Sequence, residues 1–358
     1  MRILHTIPGR NWGGAEQRTL DQVRWLADHG HAVFLAAPAD GEPFRRAVAL
    51  GLPVTAMAFD RPWGPATLLA LRRFVIHHHI EVIDTHVTRD AKAAIGCLDR
   101  CAVVRSRHVN QPLIPSPIRR LQWRLGADHV ITVAAVTRNT LIADGMISPA
   151  RSTAIGGWAD DRFFQLPADR PGTNTILCVG MLRPDKGQDH LIAALRLLNR
   201  RGTSFTCLLA GSATAESAAH EASLRARAEG LDIQFLGYRE DIPALMAMAD
   251  LVVIPSLTEA QPRVAVQAFA AGRPVVASAV GGLPEIVTDG ITGWLVPSAD
   301  PAALADAILR GLGAEAGSIA ANARALAESS MRFDARMAQT LAAYDKARAN
   351  ARKRGAPV

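Results

Sequence analysis

Short apolar or β-branched runs alternate with segments of helical period along most of the chain. In the first half, RILHTI, HAVFLAA, PVTAMAF, EVIDTH, VVRSRH and HVITVA predict strands, and AEQRTLDQVRWLADHG, TLLALRRFVIHHH and VTRNTLIADG between them predict helices. The first helix puts Leu20, Val23 and Leu26 on one face, and Gly30 stands where a C-terminal glycine is expected. The triplet His77, His78 and His79 is expected mid-helix. Strand, helix, strand in repetition predicts a parallel sheet covered on both faces.

Around 156–173, GGWADDRFFQLPADRPGT breaks the alternation with Gly, Pro and Asp and is the best linker candidate. The pattern then restarts: NTILCVG, SFTCLLAG, DIQFLG, DLVVIP and RPVVASA predict strands, and DHLIAALRLLNR, AESAAHEASLRARAEG, DIPALMAMA and RVAVQAFAAG predict helices. The fold class is α/β, with two doubly wound, Rossmann-like domains in series. The boundaries expected are 1–165 for the first domain and 166–332 for the second, followed by a last helix and basic tail over 333–358.

The length of 358 residues agrees with about two domains, and 49% hydrophobic with 20% charged residues is the composition of a folded globular chain. No run is long and apolar enough for a spanning helix, and MRILHTI does not predict a signal peptide, so a cytoplasmic protein is expected. Four cysteines without C-x-x-C spacing are expected as free thiols, Cys178 and Cys207 inside buried strands. The net charge of +7 gathers in IRRLQWRLG (118–126) and ARANARKRG (347–355) without interleaved aromatics, which disfavours nucleic acid. A solvated helix face with a frayed terminus, or docking on anionic lipid headgroups, both account for these segments.

In open parallel sheets ligands bind beyond the carboxyl ends of the strands, where helix N-termini point outward. Five loops qualify. PGRNWGGAEQ (8–17) offers Gly13 and Gly14 for close backbone approach, although a plain strand-helix turn explains the pair as well. THVTRDAK (85–92) places His86 and Asp90 at a strand exit. VGMLRPDKGQD (179–189) brings Arg183 and Lys186 beside a helix N-terminus, a combination suited to a diphosphate, the alternative being a solvated turn. FLGYRED (235–241), with Tyr238, offers backbone groups that could read a base edge. The fifth, TEAQPRVAVQAFAAG, sets Glu259 ahead of a helix with Pro262 expected in its first turn, and Gln267 inside it, both able to accept hydrogen bonds from sugar hydroxyls. No G-x-G-x-x-G, P-loop, H-E-x-x-H or G-x-S-x-G pattern occurs in the right context, which argues against a dinucleotide dehydrogenase, a P-loop ATPase, a metal site and a serine hydrolase.

Over nearly the whole chain these pieces, WGGAEQ, DTH, GMLRPDKG, EAQPRVAVQAFAAGRPVV and GGLPE, resemble the family 4 (group 1) glycosyltransferases of GT-B fold. The resemblance implies two domains facing across a cleft, a nucleotide diphosphate sugar as donor, no cofactor and no metal, and transfer with retention of configuration. Carried over, His86 contacts the transferred sugar, Arg183 and Lys186 hold the diphosphate, Glu259 holds sugar hydroxyls and Gln267 the ribose. Gly13, Gly14, Gly180, Val264 and Tyr238 complete the donor-binding set. In the family the last helix often crosses back to the first domain. GRNWGGAEQRTL, THVTRD and the glutamine look most like the branch that builds lipopolysaccharide cores and surface glycans, which implies a lipid-linked or glycan acceptor and peripheral attachment to the inner membrane face. Met181 stands where the family has an arginine, Gln267 where it has a second glutamate, and IGGWADD lacks the family's asparagine. These departures keep two alternatives open, a GT-B nucleotide-sugar epimerase and a non-catalytic nucleotide-sugar binding subunit.

Overall fold

The computed structural model describes residues 1–110 and 113–358. The chain divides into two units, Met1–Ile155 with Met337–Val358, and Gly156–Arg336.

The first unit is built on seven parallel strands: β1 (Arg2–Thr6), β2 (Ala32–Ala37), β3 (Val54–Ala56), β4 (Val82–Thr85), β5 (Ala102–Arg107), β6 (His129–Thr132) and β7 (Ser152–Ala154), in the order β3-β2-β1-β4-β5-β6-β7. The second has six, β8 (Thr175–Val179), β9 (Thr206–Ala210), β10 (Ile233–Gly237), β11 (Leu251–Ile254), β12 (Val275–Ser278) and β13 (Trp294–Val296), in the order β10-β9-β8-β11-β12-β13. Every pairing between these strands is parallel. Both sheets reverse direction of growth once, between β1 and β4 and between β8 and β11. Those are the switch points at which doubly wound sheets open a crevice beyond their carboxyl edge.

The strands are near-continuous apolar runs because helices cover both faces. In the second unit one layer of core packs Leu177, Val252 and Ala277 against Phe269 and Ala265 of the helix Arg263–Ala270, and the other packs Ile176, Val253 and Val276 against Leu195 and Ile308. β7 and β13, three residues each, escaped the sequence pattern, whereas the equally short β3 was read as part of PVTAMAF.

Two expectations need correction. The helix Pro65–His77 ends at the first histidine of the triplet; His78 caps it and His79 takes a left-handed φ of 49°, so the triplet forms a helix terminus. The expected linker is also not one. Trp158, Ala159, Phe163 and Phe164 are buried, and the last three belong to the second unit's core. The irregular stretch that follows runs along the surface and is tied down by Arg273, itself 1% exposed, which donates to the carbonyl oxygens of Pro167 (3.0 Å), Ala168 (3.1 Å) and Asp169 (3.1 Å) as well as Met246 (2.8 Å). Arg324 does the same for Leu166 and Phe164. The segment mixes a short helix, Asp161–Phe164, capped by Asp160, with irregular backbone held by distant arginines.

The last helix, Phe333–Lys353, belongs to the first unit from Met337 onward. Met337, Thr340, Tyr344, Ala347 and Ala351 form its buried stripe at helical spacing. Tyr344 donates to Asp84 Oδ2 (2.6 Å), Arg348 pairs with Glu81 (2.5 Å), and Arg354 pairs with Asp128 (2.7 Å). The basic tail is therefore docked, with two of its charges neutralised, where a frayed terminus was one expectation.

Arg273→Ala, which strips five carbonyls, Gly272 O (3.3 Å) included, of this donor, is expected to lower stability by roughly 3 kcal/mol. Denaturant unfolding of the variant checks this; a midpoint equal to the wild type's would show that the segment 164–169 is held by other means.

Candidate functional site

In the second unit the chemistry gathers at the β8/β11 switch point. β8 leads into Gly180–Lys186, where Gly180 N–H donates to Ala210 O (2.9 Å) and Leu182 N–H to Ser212 O (3.1 Å), continuing the β9 pairing past the strand end. The turn Pro184–Lys186 closes on Gly187 at φ 67°, where an added Cβ would lie 2.0 Å from Pro255 O. Only glycine permits that conformation and that approach. Leu257 N–H donates to Asp185 O (2.9 Å), so the loops after β8 and β11 are latched together by backbone.

That latch brings Lys186 Nζ to 2.5 Å from Glu259 Oε1, which also accepts from Ser256 Oγ (2.9 Å). The Glu259 side chain is 10% exposed and that of Lys186 23%, so the pair is well screened from water yet reachable from one side. Glu259 is braced from behind by Gly281 (φ 56°), whose missing Cβ would fall 1.7 Å from Glu259 O, and Gly282 N–H donates to Ala260 O (2.8 Å). Arg183 does not join the pair; its guanidinium grips Asp185 in a fork (2.8 and 2.5 Å), which raises the pKa of Arg183 and lowers that of Asp185. Met181, standing in an arginine's place, has its carbonyl held by the buried Gln188 side chain (3.0 Å).

The helix Arg263–Ala270 starts one residue later than expected, with Pro262 as its N-cap. Val264 and Gln267 are half-buried on it, and Val264 packs on the core. Among the described residues no hydrogen bond joins Gln267 to Glu259 or Lys186. Tyr238, just past β10, is 54% exposed, and its hydroxyl donates to Glu240 (3.3 Å).

In the first unit, His86, Gly13 and Gly14 lie around the β1/β4 switch point. Gly13 caps the helix Gly14–Asp28, and the Glu16 carboxylate folds back on this end, with Oε2 3.2 Å from where a Gly13 Cβ would be. Glu16 thus supplies the helix N-terminus with a negative charge of its own, and its burial raises its pKa. His86 sits in a buried row of imidazoles: His5 Nδ1 to His86 Nε2 at 3.1 Å, and His86 Nδ1 to His108 Nε2 at 2.8 Å, with the rings stacked. Burial lowers the pKa of His5 to about 4 and of His86 to about 3, and that of His108 well below its usual value, so all three are neutral at pH 7. Asp90 receives the N–H groups of His86 (2.7 Å) and Val87 (3.0 Å) and the Thr6 hydroxyl (2.7 Å), which holds the His86 backbone in place.

Sequence reasoning missed His5, His108, Ser256, Gln188 and the role of Gly281. It also found no clustered ligand set, whereas His5, Asp84 and His86 bring ligand-type atoms within 4.8 Å of one another. His5 stands on β1, Asp84 on β4 and His86 just past the end of β4, and parallel pairing of β1 with β4, which sets His5 beside Asp84, makes them neighbours.

Residues 12–162 match the family described as Glycosyltransferase Family 4, and residues 173–313 match Glycosyl transferases group 1. The chain belongs to the group 1, family 4 glycosyltransferases. Among curated relatives of this glycosyltransferase, the D-inositol 3-phosphate glycosyltransferase of Corynebacterium efficiens is 32% identical over 229 residues, 58% of this chain and 54% of the relative. The chain thus spans about half the length of that protein. The Anabaena protein HepE, solved with UDP and glucose, superposes with a TM-score of 0.79 at 24% identity over 96% of this chain and 99% of that one. The lipopolysaccharide outer core galactosyltransferase WaaB superposes with a TM-score of 0.70 at 13% identity over 96% and 99%. The fold is of GT-B type.

The buried imidazoles of this glycosyltransferase set a pH dependence. His5, His86, His108 and His129 (about 4) all have folded pKa values below the ordinary 6.5, so only the unfolded chain takes up protons as pH falls from 6.5 towards 4. Asp84, Asp90 and Glu16, raised by burial, Asp90 to about 6, bind protons in the folded state and offset part of this. With four buried imidazoles against three raised carboxyls, the first unit is expected to lose roughly 1 kcal/mol per pH unit below pH 6.5. Chemical denaturation at pH 7, 6 and 5 reads the slope, and stability that is flat or rising on acidification would contradict it.

Proposed function

We propose that this glycosyltransferase moves a hexosyl- or heptosyl-type sugar from a nucleotide diphosphate sugar to a lipid-linked or surface-glycan acceptor of lipopolysaccharide type, with retention and without a metal. The observation that carries the reading is the Lys186–Glu259 pair at 2.5 Å, where the loops after β8 and β11 meet. Its two halves match the two halves of the donor: a diphosphate draws Lys186, and the released Glu259 carboxylate accepts from sugar hydroxyls. Arg183, exchanging Asp185 for phosphate, adds a second cation. Gly180 borders the same loop, while Val264, Gln267 and Tyr238 lie on the β10 and β11 side, where the nucleoside would extend. Stabilising charge on the departing diphosphate is the main catalytic contribution in this reading, and cationic side chains take the place of a metal. In the first unit Gly13 and Gly14 give close backbone approach, and the neutral His86 contacts the transferred sugar. HepE, solved with UDP and glucose, and WaaB, a lipopolysaccharide galactosyltransferase, are neighbours in keeping with such a donor and acceptor. The reaction would take place at the cytoplasmic face of the membrane.

A phosphorylated polyol as acceptor is the second reading, favoured by the D-inositol 3-phosphate glycosyltransferase relative. Incubating the enzyme with labelled nucleotide-sugars separates the two, since a lipid-linked product partitions into butanol and a sugar-polyol phosphate stays in water. Donor binding with no transfer to either acceptor would favour a binding subunit, and a changed donor sugar an epimerase.

Glu259→Ala is expected to lower transfer about a hundredfold while the fold holds, and Lys186→Ala to weaken nucleoside diphosphate binding about tenfold. Turnover assays and calorimetric titration measure these; unchanged turnover in the first variant, or equal affinity in the second, would move the site elsewhere.

A further inference from the structure

The helix Pro117–Leu125 presents an unusual surface. The four most exposed large apolar side chains among the described residues are Ile114 (79%), Ile118 (71%), Leu125 (61%) and Leu121 (58%), and all lie on this helix or in the turn before it. Ile118, Leu121 and Leu125 are spaced i, i+3, i+7 and form one stripe. The opposite face is anchored: Trp123 is buried, and the Arg105 guanidinium lies 3.6 Å from its ring centroid. Ser116 Oγ caps the helix by accepting from Arg119 N–H (3.2 Å). The stripe is thus held outward on a formed helix rather than exposed by fraying.

The charge beside the stripe is of one sign. PSPIRRLQWRLG (115–126) contains three arginines and no acid. Arg120 and Arg124 are exposed one turn apart; Arg120 Nε donates to the Asp144 carbonyl (2.9 Å), and Arg119 donates to the Ile114 carbonyl. Asp144, at the end of the helix Ala135–Ala143, is the acid that adjoins them, while Asp128 is buried and paired with Arg354. The C-terminal tail, the other basic segment, has Arg348 and Arg354 committed to ion pairs. Of the two basic stretches, the helix is the one that joins exposed cations to exposed aliphatic side chains.

We infer that the face formed by Ile114, Ile118, Leu121 and Leu125, flanked by Arg120 and Arg124, docks on an anionic lipid surface. An aliphatic stripe fits the acyl boundary, arginines beside it fit phosphate headgroups, and neither half alone binds durably. A purely apolar protein partner would leave the arginines unpaired, and an acidic one would leave the stripe in water. The inference deepens the membrane-facing acceptor proposed above, but its test involves no sugar transfer, so either can fail without the other.

Flotation of the full chain with vesicles of equal parts phosphatidylcholine and phosphatidylglycerol, against phosphatidylcholine alone, tests it. The wild type is expected to float with the anionic vesicles, less so as salt rises. Ile118→Ser/Leu121→Ser, which keeps the charge, and Arg120→Gln/Arg124→Gln, which keeps the stripe, should each reduce the bound fraction roughly tenfold. All four substituted positions are at the surface, and the single variant Leu121→Ser, with a smaller reduction expected, guards against misfolding in the double ones. A wild type that stays in solution with both vesicles, or variants that float as well as it does, would overturn the inference. So would a concentration-dependent dimer in sedimentation that Ile118→Ser/Leu121→Ser abolishes without any vesicle binding, which would assign the face to a second copy of the chain.

Discussion

Parallel pairing is the constraint on which everything else rests. A parallel strand must return by a crossover, the crossovers cover both faces of the sheet, and the polar chemistry is left to the strand ends. In both units the loops with functional side chains leave strands at the point where the sheet reverses its order, β1 and β4 in one, β8 and β11 in the other. A row of neutral imidazoles occupies the first of these ends and an ion pair the second. Both are groups that would be costly to bury without partners.

The two ends solve that cost differently. At β8/β11 opposite charges meet, and backbone latches through Gly187 and Gly281 set their distance. At β1/β4 burial strips the imidazoles of their protons, and each becomes donor or acceptor to the next. The first arrangement can exchange its partner for a ligand of matching charge. The second holds its geometry at neutral pH because no member carries charge.

Arginine recurs as the residue that makes irregular backbone tolerable. Arg273 and Arg324 collect carbonyls of the 164–169 segment, Arg354 and Arg348 tie the last helix to the first unit, and Arg105 lies over Trp123. Much of the net positive charge is thus structural, and the exposed remainder at Arg120 and Arg124 is more informative than the total.

Most strands, most helices and the order of the motifs could be read from sequence, because period, turn glycines and the Gly-Gly, Lys-Gly and Glu-x7-Gln spacings are local properties. Glu259 and Lys186 could be nominated the same way, each by its place after an apolar run. Tertiary structure alone decided that they pair with each other while Arg183 turns to Asp185, that His86 is one of three stacked imidazoles, that Trp158, Ala159, Phe163 and Phe164 of the expected linker are buried, and that the basic tail is docked while the basic helix shows an aliphatic stripe. The reason is physical: periodicity records which face of an element is buried, but not which distant side chain arrives to satisfy a carbonyl, a carboxylate or a ring nitrogen.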